Sequence, residues 1–219
     1  MQAIKTSMQL LKKHGIWIAI AIIAIAIAVW YWIKPKKINP VPGTKLLFIG
    51  SSSTADVSSY ADQIGNWYPD VEVTKIAQVG ATTNWMIDNA LTEISSGQYA
   101  GIYIFGGLND VYAGLGASNA MANLQTMVDS GKSAGSIVTL ITLQPTDNYT
   151  AYTADKGAQV DEINSYILSS NANFAVDLFG MTTFADGSQD TSWFQGDFLH
   201  LTYVAQTELA NEVISITFN

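Results

Sequence analysis

The chain has 219 residues, 48% of them hydrophobic, with no cysteine and only two histidines, His14 and His200. That rules out disulfides and thiolate metal sites and argues against a histidine-built metal cluster, so neither a metal nor a cofactor is expected. Beyond residue 38 four lysines stand against all 18 acidic residues, a net of −14, and the chain has no arginine. Such a body repels nucleic acid and lacks the bidentate clamp that favours phosphorylated substrates.

Residues 1–15 form a basic leader, with Lys5, Lys12 and Lys13 ahead of any acidic residue. Residues 16–33 contain only Ile, Ala, Val, Trp and Tyr. At ~1.5 Å per residue that run reaches ~27 Å as a helix, enough for one bilayer crossing. Trp17 stands at one end and Trp30, Tyr31 and Trp32 at the other, where an interfacial aromatic belt would place them. The expectation is a single-pass transmembrane helix. Ala26-Ile27-Ala28 resembles a signal-peptidase site, but the aromatic residues and lysines that follow favour an uncleaved anchor. Lysines flank both ends in near-equal number, so they do not fix orientation; an extracytoplasmic domain is the working expectation. Residues 34–44, with Pro35, Pro40 and Pro42, read as a short stiff linker.

From Leu46 the pattern alternates between strand and helix. Apolar runs at Leu46–Ile49, Val71–Ile76, Gly101–Phe105, Ser136–Leu143 and Phe174–Leu178 predict five strands. Helical spacing fills about 56–68, 84–96, 117–133, 156–170 and 202–215. Asn84 is a candidate N-cap for the second of these; Ser118 would open the third and Gly131 close it. This alternation predicts a three-layer α/β/α sandwich over residues 45–219. Its parallel sheet would have the order 2-1-3-4-5, with the first strand central. The long stretch Gln144–Asp155 has no periodicity; Tyr149 and Tyr152 within it are candidates for a substrate cleft or for an ordinary solvated loop.

Each predicted strand ends in residues with chemical potential. The first runs into Gly50-Ser51-Ser52-Ser53, where glycine permits a sharp turn that would expose a serine. Capping of the next helix is the simpler use of those serines. The second strand leads to Gly80, whose backbone N–H is free to meet an oxyanion, and the third to Gly106-Gly107-Leu108-Asn109-Asp110. Ahead of the last helix comes Asp197-Phe198-Leu199-His200. A serine hydroxyl needs a base, and His200 is the only imidazole after the apolar segment. Asp197, three residues earlier, is in reach of the ring's other nitrogen. The less favoured alternatives are that Asn109-Asp110 is a turn and His200 a helix-cap residue.

Across residues 46–215 these four blocks, in this order, resemble the SGNH hydrolases, the GDSL-type esterases and lipases. The resemblance implies Ser52 as nucleophile, His200 and Asp197 as its partners, and an oxyanion hole of Ser52 N–H, Gly80 N–H and the Asn109 side chain. Ser51 departs from the family pattern, which has aspartate there, so hydrogen bonding beside the nucleophile must differ. The implied activity is hydrolysis of a carboxylic ester through an acyl-enzyme. An O-acetyl or other acyl ester on a surface glycan comes first and a lipid ester second, with the domain tethered to a membrane through 16–33. The rivals are an O-acyltransferase using the same intermediate, and an idle domain of this fold that binds glycan or serves as a structural membrane or virion protein.

Overall fold

The computed structural model describes Ile23, Ile25 and residues 36–219. Among these no helix is long and apolar enough to cross a membrane. Apart from Ile23 and Ile25, the expected span at 16–33 and the leader before it lie outside the described residues. The chain divides into two units, Met1–Lys36 and Lys37–Asn219.

The second unit is built on five parallel strands: β1 (Lys45–Gly50), β2 (Glu72–Ala77), β3 (Gly101–Phe105), β4 (Ile137–Ile141) and β5 (Phe174–Val176). They are ordered β2-β1-β3-β4-β5, with β1 paired on both sides, as the alternating pattern predicts. Leu46 to Gly50 are all buried, which a strand covered by helices on both faces requires. Eight helices accompany the sheet: α1 (Ser52–Ala55), α2 (Tyr60–Trp67), α3 (Thr83–Ile94), α4 (Leu108–Tyr112), α5 (Ala117–Ser133), α6 (Ala154–Ser169), α7 (Leu178–Met181) and α8 (Tyr203–Thr217).

Side chains alternate across the sheet and sort the helices into two layers. Phe48 stacks on Tyr103 at 4.6 Å and meets Tyr60 of α2 edge-on at 5.6 Å, while the Tyr103 hydroxyl bonds Thr217 of α8. One register position away, Ile102 and Val138 meet α5, where a Cβ on Gly131 would lie 2.7 Å from Val138. Gly131 is therefore a packing contact inside α5 and not its terminator; the helix runs on to Ser133.

Two other helix ends differ from expectation. Thr82, not Asn84, caps α3 through its hydroxyl, and Gly116, not Ser118, precedes α5. The helix predicted at 56–68 is shorter: residues 56–59 are a loop, and α2 starts only at Tyr60 behind a Ser59–Asp62 capping box, while the short α1 lies before the predicted range.

Residues 37–44 belong to the domain and are not a free linker. Ile38 is 3% exposed, its N–H donates to Thr217 O, its carbonyl accepts from Asn219 N–H, and Lys37 Nζ reaches Ser215 O. The prolines conceal this from composition, because the burial of Ile38 depends on Gly101, which leaves room for its side chain.

Candidate active site

The carboxyl ends of β1, β2 and β3 converge on one edge of the sheet, and the serine turn is the tightest feature there. A Cβ on Gly50 would sit 2.1 Å from Thr54 Oγ1 and 2.9 Å from Phe105 O. Glycine is thus needed at position 50 so that β3 and the start of α1 can approach; left-handed backbone is not the reason. Ser51 precedes α1 and makes no side-chain cap bond. Ser53 is buried, as is Thr54. Of the three serines it is Ser52 whose hydroxyl meets an imidazole, at 3.0 Å from His200 Nε2.

His200 comes from the segment between β5 and α8. Its Nδ1 lies 2.6 Å from Asp197 Oδ2, while Asp197 Oδ1 accepts from the N–H groups of Leu199 and His200 at 3.1 and 3.0 Å. The three-residue spacing thus closes a small ring in which one carboxylate orders both the turn and the imidazole. Partial burial pushes the Asp197 carboxyl up, but the hydrogen bonds from the His200 ring and from the two backbone N–H groups outweigh it. The net position is below the ordinary carboxylate value. Phe198, inside this ring, is the only non-glycine with positive φ (57°) among the described residues. The helix cap is Thr202, whose hydroxyl accepts from Ala205 N–H, so His200 does not have that role.

Asn109 opens α4 and donates through Nδ2 to Ala81 O at 2.9 Å, which places its amide beside the Gly80 turn. One amide proton is used in this way and a second remains for a ligand. Gly80 has φ 76°, and a Cβ there would meet nothing within 4 Å, so conformation and not space calls for glycine. Asp110, the last residue of its block, is fully buried. It accepts from Thr83 N–H at 2.8 Å, Thr83 Oγ1 at 2.6 Å and Asn119 Nδ2 at 3.0 Å. It therefore fastens α4 to the start of α3 and fixes Asn109 relative to the Gly80 loop. No local pattern marks this role, because Thr83 is 27 residues away.

Ser52 and Asn109 line one cleft with Phe105, Leu108, Leu143, Gln144 and Leu199. The cleft is narrow, with a cavity volume of about 20 Å³, little more than one water-sized sphere. Tyr149 and Tyr152 are not among its lining residues. The Tyr149 ring packs edge-on against Tyr112 at 5.2 Å. Tyr152 lines a separate cavity of about 240 Å³ with Thr146, Asp147, Asp161 and Phe179.

Three glutamines that sequence reading missed, two of them buried (Gln144 and Gln189), hold the histidine loop. Gln144 Nε2 donates to Leu199 O, Gln195 Nε2 to Leu201 O, and Gln189 Nε2 to both Phe198 O and Pro145 O. Among the described residues no group of three or more acidic or histidine side chains is placed to hold a metal ion.

A parallel α/β/α sheet with a serine, an imidazole and a carboxylate in sequence at its carboxyl edge has the arrangement of a serine hydrolase. The profile of the GDSL-like lipase/acylhydrolase family matches residues 48–206, and the chain belongs to that family, whose members are ester hydrolases. No curated protein sequence matches it significantly. The solved structures it resembles include a lipase/acylhydrolase from Enterococcus faecalis (19% identity, 78% of this chain and 94% of that one, TM-score 0.64). A GDSL-like lipase from Bacteroides thetaiotaomicron has 16% identity over 79% and 88% of the two chains, with TM-score 0.66. An acetyl xylan esterase has 16% identity over 78% and 98%, with TM-score 0.62. At these identities the likeness is one of fold.

Proposed function

We propose that the chain is a serine esterase acting on small acyl esters, with O-acetyl groups on a surface glycan as the preferred substrate. The observation that carries this reading is the unbroken series Ser52 Oγ–His200 Nε2 at 3.0 Å and His200 Nδ1–Asp197 Oδ2 at 2.6 Å. Ser52 Oγ attacks the ester carbonyl carbon while its proton passes to His200 Nε2, and Asp197 stabilises the imidazolium. The oxyanion is accepted by the N–H groups of Ser52 and Gly80 and by the free amide proton of Asn109. Collapse expels the alcohol, which takes the proton from His200. Water then repeats the sequence on the acyl-enzyme.

The cleft beside Ser52 is narrow and lined by Phe105, Leu108, Leu143 and Leu199 together with Asn109 and Gln144, which supports a short acyl group over a fatty acyl chain. The tether, proposed as a membrane span at 16–33, bears on the alcohol. Lys37 and Ile38 bond to Ser215 and Thr217 at the end of α8, a helix that begins beside His200. A tethered esterase with a narrow cleft suits an ester on a surface polymer better than a long-chain lipid ester. Initial rates on a series of aryl esters from acetyl to decanoyl, together with acetate release from an acetylated polysaccharide, test the proposal. The expected result is a steep fall in kcat/KM beyond about four acyl carbons; a maximum at eight or more contradicts it.

A further inference from the structure

Gln206 lies on the first turn of α8 and is 3% exposed. Its Oε1 accepts from Tyr60 N–H at 3.0 Å and its Nε2 donates to Ser53 O at 3.0 Å. Ser53 follows Ser52 within α1, and Tyr60 is the first residue of α2, so one side chain grips both ends of the segment that carries the serine. The same glutamine donates its backbone N–H to Thr202 O, two residues beyond His200. A single residue therefore spans the two pieces of chain whose separation sets the 3.0 Å contact between Ser52 Oγ and His200 Nε2.

We propose that Gln206 is a positioning residue for acyl transfer, holding the serine turn at proton-transfer distance from the imidazole. The proposal rests on the reading of Ser52 as nucleophile. Gln206 does not line the cleft beside Ser52, so its loss should leave substrate binding intact and act on the chemical step. Proton transfer demands hydrogen-bond geometry, and a displacement near 1 Å costs on the order of 100-fold in rate. Lys75 provides the contrast. Its Nζ bonds Asp56 O at 3.0 Å and Asp62 Oδ2 at 2.7 Å, bracing the same α1–α2 segment from β2 with no connection to His200.

The test compares the unaltered chain with Q206M, Q206E and K75M, measuring kcat and KM for an aryl acetate, melting temperature, and the rate of fluorophosphonate labelling. Q206M removes both side-chain bonds, and Q206E keeps the acceptor for Tyr60 N–H while losing the donor to Ser53 O. Both are expected to lower kcat and the labelling rate by about 10- to 100-fold with KM within twofold, Q206M more than Q206E. K75M should lower the melting temperature with kcat unchanged. A kcat in Q206M no lower than in K75M, or a loss expressed in KM, overturns the proposal. So does failure of both glutamine variants to fold, which would make Gln206 a residue of stability alone. Absence of labelling in the unaltered chain would overturn the serine reading itself, whereas normal labelling there with normal labelling in Q206M rejects only the clamp.

Discussion

Ser52, Gly80 and Asn109 stand just beyond the carboxyl ends of β1, β2 and β3, whereas Asp197 and His200 stand on the loop between α7 and α8, which has little regular structure. The first group is positioned by the sheet and by fully buried Asp110, whose carboxylate joins α4 to α3. The second depends on amide side chains reaching in from elsewhere, of which Gln189 uses its whole capacity. Its oxygen takes two bonds from Asn148 and its nitrogen gives two, to Pro145 O and Phe198 O. His200 and Asp197 keep 37% and 44% of their side-chain surface exposed. The half with Ser52, Gly80 and Asn109 is thus braced by the sheet and by buried Asp110, and the half with Asp197 and His200 is a loop held by amide side chains. The two should fail in different ways.

The largest effects belong to the loop's chemistry. Asp197→Asn is expected to lower kcat/KM for an aryl acetate by about four orders of magnitude, as loss of the carboxylate does in a protease triad, with little change in melting temperature. His200→Ala should be at least as damaging, since no other histidine follows His14. A variant with near-normal rates would remove His200 from the mechanism. In the core half, Asn109→Ala should cost about 100- to 1,000-fold in kcat, the usual loss of one oxyanion donor. Asp110→Asn should add a clear loss of stability because its buried bonds from Thr83 are broken. If it lowers the rate while leaving the melting temperature unchanged, the structural role assigned to Asp110 is wrong.

Truncation probes the domain's border. A chain beginning at Lys37 should retain full stability, whereas one beginning at Lys45 loses buried Ile38 and should be less stable by about 1.5–3 kcal/mol in urea unfolding. Equal midpoints for the two would return residues 37–44 to the role of linker. The pH response should also distinguish the halves. Because Asp197 is held below its ordinary value in the fold, its contribution is complete above the unfolded carboxyl value. It is lost as pH falls through the lower folded one. Urea stability should therefore hold level above the ordinary carboxylate range and fall below it, and Asp197→Asn should lose part of that fall. An unchanged fall in Asp197→Asn would remove Asp197 from the pH response. The smallest effect concerns Phe198, whose positive φ a β-branched residue tolerates poorly. Phe198→Val should cost about 1–2 kcal/mol, and Phe198→Gly should be close to neutral.

The sheet order and the four chemical blocks were legible because each depends on local pattern: apolar runs of strand length, then a short set of residues at the strand's end. Helix boundaries were less so. Thr82 and Asn84 are both good caps on local grounds, and what favours Thr82 is its position one residue before Thr83, whose N–H is taken by Asp110 from across the sheet. The glutamines had no local signal, since Gln144, Gln189 and Gln206 act on partners up to 55, 44 and 153 residues away. Tyr149 and Tyr152 misled for the opposite reason. Aromatic residues on a long loop suggest a cleft, but one ring packs on Tyr112 and the other lines a separate cavity.

The central claim is that Ser52, and neither neighbour, is the serine activated by His200. Labelling the unaltered protein with a fluorophosphonate and mapping the modified peptide by fragmentation mass spectrometry tests it directly. The account predicts one adduct per chain, on Ser52, absent in His200→Ala. An adduct on Ser51 or Ser53, or labelling that persists without His200, would contradict it.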